Sequence, residues 1–301
     1  MHPFPKQARV CFIGDSITHN NGYVSRIAAY YKKNLPELQV RFWNNGVSGG
    51  SLRTVDLFFA DDVQPVHPTH AVLMLGVNDS DRNALTASEP ERSRRLNAAF
   101  ETYCHRLDHL CDVLYGQNIQ AILCTPAPYA EFQQTAQDSL PGGHALILRY
   151  AEQVRHVSRE RELPLVDYHA RLSELYLDEV LYGDDHVHPN DFGHYRMAEC
   201  FLRAQGLEIA PYAPLAELRA SAGLTEWAAN VSILRNIFAT EWLFISDYAL
   251  PLKEKMAQIA KLSAGNTIEW KASMFHDYLT YKPQQAELAA KIDRQMEDFY
   301  R

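Results

Sequence analysis

Short apolar runs alternate with longer amphipathic segments along the first two thirds of the chain. Each run is rich in aliphatic and β-branched residues and is bounded by polar residues or Gly, as expected for a buried strand. The runs lie at 8–14, 38–44, 69–76, 119–126 and 163–168. Because helical segments of about ten or more residues separate several of them, the alternation predicts βαβ units and a mainly parallel sheet.

Helices are predicted between these strands. Apolar residues at helical spacing fill the segments 21–35, 89–116 and 143–161. Ser88, followed three residues later by Glu91, forms the pattern of a capping box at the start of the second segment. Right-handed crossovers place helices on both faces of such a sheet, which predicts a three-layer α/β/α sandwich. Ligands of these folds bind outside the carboxyl ends of the strands, so reactive residues are expected directly after the strands.

The pattern changes near residue 210, where a joint rich in Pro and Ala begins and no convincing strand follows. Apolar side chains there step by three or four positions, as on one face of a helix. They are Trp227, Val231, Leu234, Phe238, Trp242 and Ile245. We therefore predict an α/β domain over 1–209 and an all-helical C-terminal extension over 210–301. Three or four helices are expected there, with an apolar face that packs on the α/β domain or on another subunit.

Composition restricts the partners and the compartment. The chain has 301 residues, of which 47% are hydrophobic and 22% are charged, enough for a sizeable core. The net charge of -8 disfavours nucleic acid and anionic membranes as partners. The sequence shows no signal-like segment and no apolar stretch long enough to span a membrane. The five cysteines are scattered and form no CxxC pair. They are typical of reduced thiols, so a cytoplasmic protein is predicted.

Polar clusters follow the predicted strands at the positions where the α/β rule requires them. GDSI (14–17) follows the first strand, NNGVSGG (44–50) the second, and GVND (76–79) the third. DDHVHPN (184–190) follows the fifth strand after one further helix. Because the carboxyl ends of parallel strands share one edge of the sheet, the clusters are expected to meet at that edge.

Three residues of these clusters have the chemistry of a nucleophile and its base. A serine hydroxyl is a weak nucleophile, and Ser16 needs a base within hydrogen-bonding distance, which His188 can supply. Asp185 precedes His188 by three residues, so one turn brings its carboxylate to the other imidazole nitrogen. An oxyanion formed there needs preorganised donors. The N–H groups of Ser16 and Gly49 and the side-chain amide of Asn78 are the natural ones.

The four clusters, in this order, resemble the sequence blocks of the SGNH (GDSL) hydrolase family over about residues 8–205. The resemblance implies a flavodoxin-like sheet with strand order 2-1-3-4-5, and no metal or cofactor. It also assigns roles to five residues: Ser16 as nucleophile, Asp185 and His188 as the rest of a triad, and Gly49 and Asn78 in the oxyanion hole. Many relatives have an Asp where this chain has Gly50, so the hydrogen bond that such an Asp makes is in doubt here.

Other residues near the clusters are predicted to support the site rather than to react. Asp15 and Asp79 are expected behind the site or at its pocket, and both also suit simple turns after strands. Tyr129 suits a pocket wall and ordinary loop packing equally. His186 is predicted at the surface or at the rim of the site.

A metal site is an alternative for one cluster, because His-x-His brings two imidazoles near each other. Its ligands would come from Asp184, Asp185, His186, His188 and His194. Under this alternative Ser16 and Asn78 have no role, so it is disfavoured.

The resemblance implies an esterase that removes small acyl groups, foremost acetyl, from small molecules or oligosaccharides. Lysophospholipase, thioesterase and acyltransferase activities on the same fold are alternatives. Two alternatives belong to other classes: a non-catalytic module that binds an acylated glycan, and a scaffold that forms a homo-oligomer through its C-terminal helices.

Overall fold

The computed structural model of the protein describes residues 1–135, 137–244 and 250–300. Five parallel strands form one sheet in the order β2-β1-β3-β4-β5, which confirms the predicted order. The strands are β1 (Arg9–Gly14), β2 (Arg41–Gly46), β3 (His70–Met74), β4 (Gln120–Cys124) and β5 (Leu165–Val166). They are nearly continuous buried runs, as expected for a parallel sheet that is covered on both faces.

Helices cover both faces of the sheet, so the predicted three-layer sandwich is confirmed. The α/β part contains α1 (Ser16–His19), α2 (Gly22–Asn34), α3 (Leu52–Phe58), α4 (Glu91–Gly116), α5 (Gly143–Glu160), α6 (Tyr168–Leu175) and α7 (Asp191–Ala204). Helix α2 packs against α7 on one face, and α4 packs against α3 and α5 on the other. Loops between these layers surround the carboxyl ends of the strands.

The start of α4 differs from the prediction. The helix begins at Glu91 with Pro90 as its N-cap, which offers no side-chain hydrogen bond, and the Glu89 carboxylate accepts the N–H of Ser93 instead. The predicted capping box is wrong because Ser88 lies two residues before the N-cap. A capping box is found instead at α3, where Ser51 and Thr54 exchange hydrogen bonds between side chain and backbone.

Five α-helices follow residue 210 in the described part of the chain, rather than the three or four predicted. They are α8 (Leu215–Ser221), α9 (Thr225–Phe244), α10 (Leu252–Ala264), α11 (Glu269–Tyr281) and α12 (Gln285–Asp298). Short α8 was missed because it has less than two full turns of apolar periodicity. Among all the described residues, no helix has the length and apolar character that crossing a membrane requires.

The C-terminal helices pack on the β2 side of the sheet. Helix α9 packs on α11 and α12, and both α9 and α12 contact β2. Four of the predicted stripe residues, Trp227, Val231, Leu234 and Phe238, are buried in the same continuous core as the sheet. Trp242 is partly buried against that core, and Ile245 lies outside the described residues. The domain boundary at 209/210 stays a prediction.

Candidate active site

The carboxyl edge of the sheet brings together the polar clusters that the sequence predicted. Ser16 begins α1, two residues after the end of β1. The loop that follows β2 continues through Gly50, and Asn78 and Asp79 come shortly after β3. The segment 184–190 lies between α6 and α7 and returns His188 to Ser16.

Ser16, His188 and Asp185 form one hydrogen-bonded chain. The Nδ1–H of His188 donates to Oδ2 of Asp185, which leaves Nε2 to accept the hydroxyl of Ser16 at 2.7 Å. The second carboxylate oxygen of Asp185 accepts the backbone N–H groups of Val187 and His188, each at 3.0 Å. The tight turn therefore fixes the carboxylate, and the carboxylate fixes the tautomer and orientation of the imidazole.

The pKa values of His188 and Asp185 suit a base that is paired with a permanent anion. The hydrogen bond to Asp185 raises the pKa of His188 above its ordinary value, and partial burial opposes that shift. Partial burial alone would raise the pKa of Asp185. The hydrogen bonds from the His188 ring and from two backbone N–H groups instead hold that pKa well below its ordinary value. Asp185 is thus ionised at neutral pH.

The segment 44–50 comprises the end of β2 and the loop after it, and it is called the oxyanion loop below after the role that the sequence predicts for it. Its own side chains hold it in place. The Nδ2–H₂ of Asn44 donates to the carbonyl of Thr18 at 2.7 Å, and its Oδ1 accepts the N–H of Gly46. Gly49 has a φ of 75°, a left-handed conformation that favours glycine. Asn78 donates from its side-chain amide to the carbonyl of Gly50 at 2.8 Å. The loop after β3 is therefore tied to the loop after β2.

Asp15 and Asp79 lie behind the reactive groups. Oδ1 of Asp15 accepts the N–H of Ile17 at 3.0 Å and caps α1. Oδ1 of Asp79 accepts the N–H of Leu52 at 3.0 Å at the start of α3. Burial raises the pKa of Asp15 to about 6 and that of Asp79 to about 7. Both carboxyls therefore anchor backbone that carries the site.

Tyr129 is a buried residue of the loop after β4. Its hydroxyl accepts the N–H of Leu140 at 2.7 Å, and its ring packs closely on Gly143. His186 was predicted at the surface or at the rim of the site, and the surface placement is wrong. Its ring is buried and its Nδ1 pairs with the carbonyl of Ala130 at 2.9 Å, because the turn folds this side chain inward.

The residues of the alternative metal cluster do not converge. His186 is used in the loop contact above, and His194 is buried on α7, where it stacks on Tyr23. Within the described residues, no three His, Cys, Asp or Glu side chains come together as a metal site.

Three residues at this edge were missed by the sequence analysis. Arg82 is partly buried and acts electrostatically on Asp15 and His188. His19 and Trp242 contact the oxyanion loop, as described in the last section of the Results. A single Arg, His or Trp forms no motif with its neighbours in sequence, so its place at the site could not be predicted. Only the position of His19 next to GDSI indicates that it lies near the site.

Known proteins resemble this chain in sequence and in structure. The model of the GDSL-like lipase/acylhydrolase family matches residues 12–196. An acetylxylan esterase of Geobacillus stearothermophilus is 27% identical over 217 residues, which are 66% of this chain and 94% of that protein. The solved structure of a catalytic mutant of such an esterase from that organism covers 70% of this chain and 99% of its own, with a TM-score of 0.59 and 24% identity.

The C-terminal helices also have a counterpart among solved structures. A gut microbial diltiazem-metabolizing enzyme covers 100% of this chain and 96% of its own, with a TM-score of 0.80 and 15% identity. At that identity the likeness shows a shared fold, and it includes the helical extension.

A three-layer α/β sandwich whose strand ends carry a Ser, His and Asp in hydrogen-bonded sequence has the architecture of a hydrolase. The match of the family model over more than half of the chain makes the assignment specific. The chain belongs to the GDSL-like lipase/acylhydrolase family, and it is a carboxylic ester hydrolase.

Proposed function

We propose that this esterase removes small acyl groups, foremost acetyl, from carbohydrate esters through an acyl-enzyme on Ser16. The observation that carries the proposal is the 2.7 Å contact between the Ser16 hydroxyl and Nε2 of His188, whose Nδ1 is bonded to Asp185. Such a contact activates a hydroxyl that is otherwise a weak nucleophile.

The reaction has two halves. The Ser16 oxygen attacks the ester carbonyl while Nε2 of His188 takes its proton, and Asp185 stabilises the imidazolium. His188 returns the proton to the leaving alcohol as the carbon–oxygen bond breaks, which leaves the acyl group on Ser16. Water then repeats the attack with the same base and releases the carboxylic acid, which restores the Ser16 hydroxyl.

The negative charge on the carbonyl oxygen requires donors placed before the reaction. The N–H groups of Ser16 and Gly49 and the side-chain amide of Asn78 take this role in the proposal. Asn78 has two amide hydrogens, of which one is bonded to Gly50, so the second is available to the substrate. Loss of one such donor costs about 3 kcal/mol of transition-state stabilisation.

Two observations support a small acyl group on a sugar. The relative with 27% identity is an acetylxylan esterase. In addition, Leu243 of α9 lies directly beside Gly49, where a Cβ would be 2.7 Å from its Cδ2, and narrows the space next to the oxyanion loop.

The test uses p-nitrophenyl acetate and a fluorophosphonate probe followed by intact mass, with wild type and Ser16→Ala compared. Wild type should hydrolyse the ester and gain one adduct, and the variant should do neither. Ser51→Ala, at the N-cap of α3, is the matched serine control and should keep the adduct. A folded wild type that is inert in both assays would leave a binding or scaffold role.

Substrate class is tested on the active enzyme with acetylated xylooligosaccharides, longer acyl esters, thioesters and lysophospholipid. The proposal expects the highest kcat/KM on the acetylated sugar. A higher value on a long-chain or thioester substrate would contradict it. Product analysis with added alcohol acceptors separates hydrolysis from acyl transfer.

The free thiols support a proposal about the compartment. All five cysteines are free, and burial raises the pKa of Cys11, Cys111, Cys124 and Cys200. Buried thiols of this kind are typical of a reducing environment, so we place the enzyme in the cytoplasm in this proposal.

A further inference from the structure

The last turn of α9 contacts the oxyanion loop directly. The indole Nε1–H of Trp242 donates to the carbonyl of Gly49 at 2.8 Å. The neighbouring Leu243 also lies against position 49, since a Cβ there would be 2.7 Å from its Cδ2, the end of a flexible side chain. The φ of 75° is the feature that favours glycine at this position.

A second contact runs through a chain of side chains to the same loop. The backbone N–H of Ser48 donates to Nδ1 of His19 at 3.3 Å, so the ring hydrogen is on Nε2. Nε2–H donates to Oδ1 of Asn236 on α9 at 3.1 Å, and the amide of Asn236 donates to Asp277 on α11 at 2.7 Å. Every donor in this chain meets an acceptor. Burial lowers the pKa of His19 to about 4, so the ring is neutral at the pH of the assay.

A third contact fixes the middle of α9 to the base of the loop. Arg235 makes two hydrogen bonds of 2.6 Å to the carboxylate of Asp62, and both side chains are almost fully buried. The carbonyl of Asp62 accepts the side-chain amide of Asn45 at 2.9 Å. Three polar contacts thus connect one helix with three positions of a seven-residue loop.

The contacts surround the peptide group whose orientation matters most for the chemistry. The N–H of Gly49 belongs to the peptide between residues 48 and 49. The N–H of Ser48 is held on one side of that peptide by His19, and the carbonyl of Gly49 is held on the other side by Trp242. With both neighbours fixed, rotation of the peptide is restricted, and its N–H keeps one direction.

We propose that α9 is a positioning element of the esterase, in which Trp242 and the Asn236–His19 pair hold the Gly49 N–H toward the oxyanion. The inference rests on the oxyanion hole of the proposed function. Helix α9 lies outside residues 12–196, which the family model matches, so the extension adds this support to the shared site. Preorganised donors stabilise the transition state more than the bound substrate, so the effect belongs to kcat.

The experiment compares Trp242→Phe with wild type in the full chain. Phe keeps a ring against Gly49 and removes only the donor. Trp270→Phe on α11, whose side chain is about half exposed, is the matched control. The measurements are kcat and KM on p-nitrophenyl acetate, the inhibition constant of phenylboronic acid as a transition-state mimic, the pH profile and Tm.

For Trp242→Phe, kcat should fall about tenfold with KM within about twofold. The boronate should bind more weakly by a similar factor. The acid limb of the pH profile should stay in place, because His188 and Asp185 are untouched. Asn236→Leu should change kcat in the same direction, and Trp270→Phe should match wild type.

The inference is overturned if folded Trp242→Phe and Asn236→Leu keep the kcat and boronate affinity of wild type. It is also overturned if the loss of kcat follows only the unfolded fraction given by Tm. An inert wild type, or Ser16→Ala with full activity, defeats the proposed function itself. An active wild type, with Trp242→Phe and Asn236→Leu both as active as wild type, defeats the positioning role alone.

Discussion

At the scale of single residues, the site depends on carboxyls in opposite environments. Asp185 accepts hydrogen bonds from a ring and from two backbone N–H groups, which keep it ionised despite partial burial. Asp15 and Asp79 are buried with fewer donors, so their pKa values are raised. Burial and the hydrogen-bond donors around each carboxyl together therefore decide whether its pKa lies below or above the ordinary value.

Asp185→Asn should reduce kcat/KM by roughly 10³- to 10⁴-fold, because the tautomer and the imidazolium of His188 lose their partner. Only neutral His188 accepts a proton, so wild-type activity should fall as pH drops through its raised pKa, above 6.5. In the variant this acid limb should move to lower pH. Rate profiles from pH 5 to 9 measure both effects, with exposed Asp178→Asn as control. An acid limb at the same pH in both enzymes would contradict the assignment.

Asp79→Asn should stabilise the protein progressively as pH rises. The folded pKa of about 7 exceeds the ordinary value of 3.8, so the folded state binds the proton more tightly. Wild type therefore loses stability as pH rises through this window. Asn keeps the acceptor for the Leu52 N–H and never ionises. The difference in Tm between variant and wild type should widen from pH 4 to pH 7 and then level off. A difference that is constant with pH would refute the buried ionisation.

At the scale of secondary structure elements, α9 is the helix that joins the extension to the site. Its inner face buries Trp227, Leu234 and Phe238 in the core, and the ring of Phe238 meets that of Phe58 edge-on at 5.3 Å. The same face carries Arg235, which reaches the carboxylate of Asp62. The apolar and polar contacts of α9 together fix its position relative to β2.

Arg235→Met should destabilise the protein by about 3–5 kcal/mol, because it leaves the Asp62 carboxylate buried without its partner. The double variant Arg235→Met with Asp62→Leu should recover much of this loss, since neither charge then remains. Denaturant titrations of the single and double variants measure the free energy of unfolding. If the double variant is less stable than Arg235→Met alone, the uncompensated charge is not the cause. The exposed pair of Arg94 and Glu91 offers the control, and Arg94→Met should leave the free energy of unfolding close to that of wild type.

At the scale of the whole molecule, the extension covers one side of the sheet and shares its core. Val40 accepts a hydrogen bond from the Tyr300 hydroxyl, and Arg41 pairs with Glu297 at 2.8 Å. These contacts lie at β2, the edge strand of the sheet. An exposed edge strand with an apolar flank is a site of aggregation, and α9 and α12 cover it here.

A fragment that ends at Tyr212 should therefore be unstable in isolation. Removal of the helices after Tyr212 exposes the side chains that pack against Trp227 and Phe238. It also leaves the carboxylate of Asp62 without Arg235. Light scattering should show aggregation, and esterase activity should be lost. A stable, monomeric and fully active fragment would show that the extension is an independent addition. A chain that ends at Tyr300 is the control, because it keeps the whole of α12 and the contact of Tyr300 with Val40, and it should behave as wild type.

The sequence by itself determined the strands, the layers and the local part of the site, and its resemblance to a known family implied the strand order. Alternating apolar runs and helical segments fix which residues face the core, and handedness fixes how the crossovers run. The turn from Asp185 to His188 is local, and Ser16 directly follows a strand, so short-range patterns suffice to place them at the same edge of the sheet.

Tertiary structure decided everything that depends on distant partners. The sequence predicted a buried apolar stripe in the extension, but the contact of Trp242 with Gly49 spans 193 residues and has no periodic signature. His186 was expected at the surface or at the rim of the site and is buried, because its Nδ1 pairs with the carbonyl of Ala130, 56 residues away along the chain. Such contacts follow from how complete elements pack, and packing joins residues whose spacing along the chain carries no information about their distance in space.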